Sequence, residues 1–344
     1  MAKIVIYCDG GFGNRFNALI SGLVAAELTG LEPEICWPAN NWCGAEYADL
    51  FADAKPVSGK NLIDFIDSAS DYLVLSHDQR NADYLKVPFH SVYNFTDIQA
   101  FKQFCDDHGG DVFYYPALIP AWIPPQNLVN TLNQLNFKKE LRSTAEEFIS
   151  KNFPEKYYGI HLRRTDLVLG FSDNEVEAIL AQNPDKLFFI CSDSAETEAK
   201  LAQFANARIR PKKAYVERQV AEKGWKEITL DDSQRAYYSN IRRSAESVHD
   251  AVIDLILLSK SEILGNTGST FLNLARLLKH QQTLTVVKKS QDTRELQKNS
   301  SKETRMFSLV ELVKKSRNTA DPLETIGILD IGAMLLGNDR KEYM

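Results

Sequence analysis

Two adjacent arginines, Arg163 and Arg164, follow an apolar run at residues 157–162 that predicts a buried β-strand. A guanidinium keeps its charge at any working pH, and its planar fork donates two parallel hydrogen bonds to a phosphate. Two like charges at a strand end are unfavourable unless an anion meets them. The pair therefore indicates a phosphate site, although arginines that are solvated or paired with carboxylates fit the same spacing.

The glycine-rich segment at residues 265–270 is a second candidate for binding phosphate. Its glycines permit close backbone approach, Ser269 and Thr270 supply hydroxyls, and a helix is predicted to follow at 271–278. Helix N-termini bind anions because their unpaired N–H groups and the positive end of the helix dipole face the ligand. The segment lacks the lysine of a P-loop, so it does not predict nucleotide hydrolysis of that type. An ordinary helix cap is the alternative.

A third glycine turn lies near the N-terminus, between a predicted strand at residues 3–7 and a predicted helix. Such a junction places helix N–H groups at the carboxyl end of a strand, where parallel sheets bind ligands. The third glycine of a dinucleotide fingerprint is missing, which disfavours a dehydrogenase. The candidate contacts with a phosphate or a sugar are Gly11, Gly13, Asn14 and Arg15. Alternatively, Asn14 caps the helix and Arg15 lies in solvent.

Asp254 is an acid inside a strongly apolar helical segment at residues 248–259. A buried carboxylate needs a partner, so Asp254 is expected either to bind a base or ribose or to pair with an arginine such as Arg242. The histidines and the five cysteines show no metal-ligand spacing, so no metal site is expected. The odd cysteine count without a CxxC pair indicates reduced thiols, and no GxSxG motif supports serine hydrolysis.

Strands that alternate with helices predict parallel sheets. The expected strands lie at residues 3–7, 34–37, 73–75, 157–162, 187–191, 207–209, 263–264 and 284–287. The expected helices after the first one lie at 126–152, 195–204, 248–259 and 271–278. The economical architecture is α/β, with two Rossmann-like domains facing each other across a cleft, at residues 1–150 and 151–344. Residues after 290 are basic and then expected to be helical, and the role of the C-terminal tail is open.

The amino-acid composition and charge restrict the class of protein and its possible partners. The chain has 344 residues, 44% of them hydrophobic and 25% charged, which is ordinary for a globular protein of two domains. A net charge of −6 gives no general attraction to nucleic acid or to an anionic membrane. Acidic side chains dominate the first 150 residues, whereas basic ones slightly prevail afterwards, which favours the second half for holding a phosphate. Without a signal peptide or an apolar run of about 20 residues, a cytoplasmic location is expected.

Three segments together resemble a known family: GIHLRRTD at 159–166, FFICSD at 188–193, and the segment 254–270. They are similar to the GDP-fucose-dependent fucosyltransferases of the α1,6, α1,2 and protein-O-fucosyl superfamily, and most of all to the α1,6 branch. The turn GFGNR at 11–15 also resembles that family, whereas residues 40–150 are unmatched. The resemblance implies a GT-B fold and inverting, metal-independent transfer of fucose, with the nucleotide mainly on the C-terminal domain.

The same resemblance implies roles for individual residues. Arg163 would bind the β-phosphate with His161 and Arg164 beside it, and Ser269 and Thr270 would bind the diphosphate. Asp193 and Asp254 would lie at the guanine and ribose side, and Arg242 would approach the nucleotide.

The general base is left open by the sequence. In the α1,6 enzymes a glutamate follows the arginine motif by a few residues, but Phe171 stands at that place here. The remaining candidates are Asp9, Glu175 and Asp173, while Asp166 is expected to hold the arginine turn. This departure leaves the acceptor and the linkage undetermined.

The leading interpretation is a glycosyltransferase that moves fucose from GDP-fucose to a hydroxyl of a cell-surface glycan precursor, without a metal or a further cofactor. Two alternatives stay open: a GT-B transferase that uses another GDP-sugar, and a non-catalytic protein that binds a nucleotide sugar. A purely structural protein would leave the arginine pair and the glycine-rich helix start unexplained.

Overall fold

A computed structural model describes residues 2–53, 55–165, 170–218, 240–265 and 269–290. The chain divides into two units. The first comprises Met1–Glu147, Arg164–Leu167 and Pro211–Leu255, and the second comprises Phe148–Arg163, Val168–Arg210 and Ile256–Met344. Only their described residues are considered below. The expectations for Asp166 and for the residues after 290 lie outside the described residues.

The first unit contains a six-stranded parallel sheet in the order β3-β2-β1-β6-β4-β5. Its strands are β1 (Lys3–Tyr7), β2 (Glu32–Cys36), β3 (Val57–Ser58), β4 (Tyr72–Ser76), β5 (His90–Ser91) and β6 (Asp111–Tyr115). The helices up to the second unit are α1 (Phe12–Thr29), α2 (Tyr47–Leu50), α3 (Gln79–Leu85), α4 (Ile98–His108), α5 (Pro125–Gln134) and α6 (Lys139–Asn152). Short 3-10 turns lie at Leu62–Phe65 and Ala69–Asp71.

Strand β1 lies at the centre of this sheet and is apolar on both faces. Ile4, Val5 and Ile6 have no exposed surface, which is typical of a parallel strand that is covered on both sides. Helix α1 packs closely on β1, since a Cβ atom at Gly22 would lie 2.4 Å from Cγ2 of Ile6. A glycine is therefore required where the helix crosses the strand.

The order of the strands reverses between β1 and β6. Strands β2 and β3, which follow β1 in the chain, lie on one side of it, and β6, β4 and β5 lie on the other side. Ligands of open parallel sheets bind at the carboxyl ends of the strands that flank such a switch point. In this unit those ends are Tyr7 and Tyr115.

The second unit contains a four-stranded parallel sheet in the order β12-β7-β8-β9. The remaining elements, in chain order, are β7 (Tyr158–Leu162), α7 (Asp173–Gln182), β8 (Phe188–Ser192), α8 (Ala195–Leu201), β9 (Ala207–Arg208), β10 (Glu217–Arg218), β11 (Ile241–Arg242), α9 (Ala245–Ser259), β12 (Glu262–Ile263) and α10 (Thr270–Ser290). Strands β10 and β11 form a separate antiparallel pair in the first unit. The switch point of the four-stranded sheet lies between β7 and β12.

The predicted α/β class with parallel sheets is confirmed, but two predicted elements are wrong. Residues 284–287, expected to form a strand, belong to α10. Their β-branched side chains favour a strand, yet no glycine or proline between 270 and 290 ends the helix, and adding residues to an existing helix is favourable.

The predicted helix at 126–152 is broken into α5 and α6. Between the two helices, Phe137 forms a β-bridge with Phe51, and the two rings stack with centroids 5.5 Å apart. Phe137 also packs against Phe12 and Phe16. Burying this aromatic contact outweighs continuing the helix.

Candidate functional site

The edge of the second unit at its switch point carries two of the predicted phosphate motifs. Strand β12 runs parallel to β7, with Ile263 opposite Gly159, and the Leu264 N–H donates to the Gly159 carbonyl at 2.8 Å. Because both strands point the same way, Arg163 after β7 and Gly265 after β12 emerge at the same edge of the sheet.

His161 connects this edge to the start of α10. It is 9% exposed, and its ring packs against Phe271 with centroids 4.9 Å apart and planes at 36°. Phe271 is in the first turn of α10, next to Thr270 and to the buried Ser269. The structure therefore places the arginine turn beside the N-terminus of a 21-residue helix.

Asp193 follows the neighbouring strand β8, whose Cys191 and Ser192 lie opposite His161 and Leu162. Glu198 of α8, only 2% exposed, accepts a hydrogen bond from the Ser192 N–H at 2.7 Å. Asp193, which is half-buried, thus follows a strand end that a buried carboxylate fixes. Glu198 was not predicted as a functional residue, although its place in the first turn of α8, after the Ser-Asp-Ser segment, was a usable signal.

The turn after β7 is braced by an arginine that the sequence analysis did not single out. Arg163 and Arg164 are half-buried. Arg218 of β10 donates from Nε to the Thr165 carbonyl at 3.0 Å, and its Nη2 donates to the same oxygen. The guanidinium of Arg218 is therefore bound to the backbone of Thr165, the residue that follows Arg164.

Gly265 is held from two sides. Its φ of +78° belongs to the left-handed region, and a Cβ atom there would lie 2.6 Å from Cε2 of Phe171. Its carbonyl accepts a hydrogen bond from Nη2 of Arg276, a residue of α10 that is 8% exposed. Phe171, which stands where the resembling family has a glutamate, therefore shapes the glycine turn.

Asp254 pairs with Lys212, not with Arg242 as one of the expectations had it. The Lys212 Nζ lies 2.8 Å from Oδ2 of Asp254, and both side chains are nearly fully buried. On the same helix, Asp250 accepts hydrogen bonds from the Lys213 and Ala214 N–H groups at 2.7 and 3.1 Å. Asp250 and Asp254 thus tether the segment 212–214.

Arg242 is exposed in the two-stranded ladder, opposite Glu217. Opposite charges facing each other across a ladder stabilise the pairing modestly.

In the first unit, Arg15 has no exposed surface. Its Nε donates to the Gly10 carbonyl at 2.8 Å, Nη1 to the Pro38 carbonyl at 2.6 Å, and Nη2 to Oδ1 of Asn40 at 2.8 Å. A guanidinium enclosed in this way does not fit the predicted ligand contact, and the alternative that places it in solvent is wrong. Its role in the structure is to hold the glycine turn against the loop after β2.

Asp9 lies at the switch point of this sheet and is 7% exposed. Its Oδ1 accepts from Nδ2 of Asn40 at 2.9 Å and lies 3.4 Å from Nη2 of Arg15. Its Oδ2 accepts from the Tyr115 hydroxyl at 3.0 Å. Both carboxylate oxygens are therefore oriented by neighbouring donors.

The N-cap residue of α1 is Gly11, and no side chain caps this end of the helix. The alternative in which Asn14 caps the helix is therefore wrong, since Asn14 lies in the first turn. Gly11 and Asn14 are half-buried, whereas Gly13 is buried.

The other two candidate bases begin helix α7. Glu175 forms a capping box with Ser172, whose backbone N–H and hydroxyl lower the pKa of the Glu175 carboxyl. Asp173 lies 3.9 Å from Nζ of Lys200. In this arrangement Glu175 caps a helix, and its lowered pKa makes it a weaker proton acceptor.

Within the described ranges, no group of three or more His, Cys, Asp or Glu side chains is placed to hold a metal ion. No helix in the described part of the chain is both long and apolar enough to cross a membrane. All five cysteines are buried thiols.

No family model and no curated protein matches the chain. Among solved structures, it is similar to fucosyltransferase NodZ from Bradyrhizobium, at 15% identity and a TM-score of 0.49, over 80% of this chain and 93% of that one. POFUT1 in complex with GDP-fucose matches at 14% identity and a TM-score of 0.42, over 80% and 94%.

Proposed function

We propose that the protein is an inverting glycosyltransferase that moves fucose from GDP-fucose to a hydroxyl of a glycan. The observation that carries the proposal is the packing of His161 on Phe271, because it brings the end of β7, with Arg163 after it, and the start of α10 to one edge of the second unit. That edge lies at the switch point between β7 and β12, where a parallel sheet receives its ligand.

The diphosphate of the donor binds Arg163, Ser269, Thr270 and the first turn of α10, all in the second unit. When the bond between fucose and the diphosphate breaks, negative charge grows on the departing oxygen. Arginines and helix N–H groups stabilise this charge without a metal ion. Each such group contributes about 3 kcal/mol in the transition state, or about a hundredfold in rate.

His161 supports the phosphate side, and Asp193, at the end of the adjacent strand, contacts the nucleoside. We propose a different role for Asp254 and Arg242. Because Asp254 is buried against Lys212 and Arg242 faces Glu217, we propose that they stabilise their own segments instead of contacting the donor.

The acceptor hydroxyl must lose a proton as its oxygen attacks the sugar. Of the three candidate bases, Glu175 is engaged as a helix cap and Asp173 neighbours Lys200. Asp9 lies at a switch point, oriented by Tyr115 and Asn40. We therefore propose Asp9 as the proton acceptor, with Gly11, Gly13 and Asn14 as the turn beside it.

A non-catalytic protein that binds a nucleotide sugar is the second candidate. It is favoured by one observation: Phe171 occupies the place of the family's glutamate and packs on Gly265. A transferase that uses another GDP-sugar is a third candidate, since arginines and helix N–H groups contact the phosphates and not the sugar.

The test is incubation of the purified chain with GDP-fucose, GDP-mannose and UDP-glucose, with and without a panel of glycans, while released nucleoside diphosphate is measured. We expect release from GDP-fucose that depends on an acceptor. Tight binding of GDP-fucose without release in any mixture would favour the binding protein, and release from GDP-mannose alone would favour the other donor.

Arg163→Ala should abolish release and weaken GDP binding in a folded protein. Arg142→Ala is the matched control, since Arg142 is exposed on α6 and donates from Nε to the Phe137 carbonyl at 3.1 Å. Full turnover in the Arg163 variant would overturn the phosphate role.

A further inference from the structure

We propose that Arg276 is a positioning residue for the diphosphate, because it holds the Gly265 carbonyl away from the ligand. This inference rests on the proposed function, which places the diphosphate at the edge where β12 ends. Arg276 lies on α10, within two turns of the helix start at Thr270. No motif in the sequence identifies Arg276 as a functional residue.

The burial of Arg276 needs an explanation. Only 8% of the residue is exposed, and a charged side chain is costly to bury unless its donors find partners. One partner is the Gly265 carbonyl, which accepts from Nη2. The buried guanidinium is therefore directed at the residue with which the candidate phosphate turn begins.

The orientation of this peptide matters for an anion. A carbonyl oxygen carries partial negative charge, so a carbonyl that faced the diphosphate would repel it. The left-handed φ of Gly265 and the ring of Phe171 restrict the backbone, and Arg276 binds the carbonyl oxygen. The guanidinium thus turns the unfavourable end of the peptide dipole toward α10 and adds positive charge nearby.

Lys279 offers a matched control on the same helix. Its Nζ donates to the Ser261 carbonyl at 2.8 Å and lies 2.7 Å from Oε2 of Glu262. Like Arg276, it is a cation of α10 that binds a backbone carbonyl next to β12. Ser261, however, precedes β12, whereas Gly265 follows it, so Lys279 acts at the opposite edge of the sheet.

The experiment compares binding of GDP and of guanosine by calorimetry in four proteins: the unmodified chain, Arg276→Met, Arg276→Lys and Lys279→Met. A hydrogen bond to a charged group predicts that Arg276→Met weakens GDP binding at least about tenfold. Guanosine, which has no phosphate, should bind within about twofold of the unmodified chain. Arg276→Lys should recover part of the GDP affinity, and Lys279→Met should change neither ligand.

Equal GDP affinity in Arg276→Met, or equal weakening of GDP and guanosine, would overturn the positioning role, because a general loss of structure affects both ligands. If Arg276→Met does not fold, the Lys variant decides: a loss confined to GDP supports the role, and unchanged GDP affinity overturns it. An unmodified chain that binds no GDP overturns the proposed function as well, whereas failure of the Arg276 variants alone leaves that function standing.

Discussion

The Tyr115 hydroxyl donates a hydrogen bond to Oδ2 of Asp9, joining the end of β6 to the residue that follows β1 by two positions. These two strands flank the switch point of the first unit's sheet. A buried carboxylate at such a place needs donors, and the phenol supplies one to the oxygen that Asn40 and Arg15 do not contact.

Replacing Tyr115 by Phe removes this donor while leaving the ring. We expect a loss of about 1.5–3 kcal/mol in unfolding free energy, since a hydrogen bond to a charged group is removed. If Asp9 accepts the proton of the acceptor, turnover by the variant should also slow, because the carboxylate loses a donor that orients it.

Tyr114→Phe is the control for that experiment. Tyr114 is the preceding residue of the same strand and is also buried, but its ring packs against Phe101 and Trp122. Urea denaturation and turnover rates of both variants give the comparison. Equal turnover rates in the two variants would contradict a link between Tyr115 and the reaction.

The buried pair of Lys212 and Asp254 should show strong coupling. Asp254→Ala removes the carboxylate that faces a buried ammonium and should cost about 3–5 kcal/mol of unfolding free energy. The double variant Lys212→Met with Asp254→Leu should lose far less than the sum of the single changes, because no isolated charge remains. A double-mutant cycle by urea denaturation measures this coupling, and additive effects would contradict it.

His77 should make stability depend on pH. Burial lowers the pKa of its imidazole below the usual 6.5, and its Nδ1 donates to the Tyr115 carbonyl at 3.0 Å. The unfolded chain therefore takes up a proton before the folded chain does, so stability is present above pH 6.5 and is lost as the pH falls toward the folded-state pKa.

His77→Phe keeps a ring to pack against Tyr115, whose centroid lies 4.8 Å away, but cannot titrate. The unfolding free energy of this variant should therefore fall less steeply as the pH is lowered. Burial also lowers the pKa of His280, so some pH dependence of stability should remain in the single variant. It should decrease further in the double variant His77→Phe with His280→Phe. Parallel pH profiles for the unmodified chain and the His77 variant would refute the assignment.

Local pattern was enough to predict the sheet edges but not the side chains that brace them. Apolar runs followed by Arg163 and by Gly265 predicted two strand ends, and both exist. Arg276, Arg218 and Glu198 lie on a helix, a short strand and a helix where charged residues usually face solvent. Their contacts join residues far apart in the chain, so only the tertiary fold reveals them. For the same reason, burial of Phe137 against Phe51 broke a helix that periodicity alone predicts to continue.

Arg218 provides the last prediction. Because its Nε and Nη2 both donate to the Thr165 carbonyl, they fix the backbone directly after Arg163 and Arg164. Arg218→Lys keeps the charge but loses the two-pronged contact. We expect GDP affinity to fall about threefold to tenfold, since one charged hydrogen bond is lost in an exposed setting. Arg208→Lys, at the end of β9, should leave affinity unchanged. Equal affinities in both variants, measured by calorimetry at low salt, would show that the Thr165 contact does not shape the arginine turn.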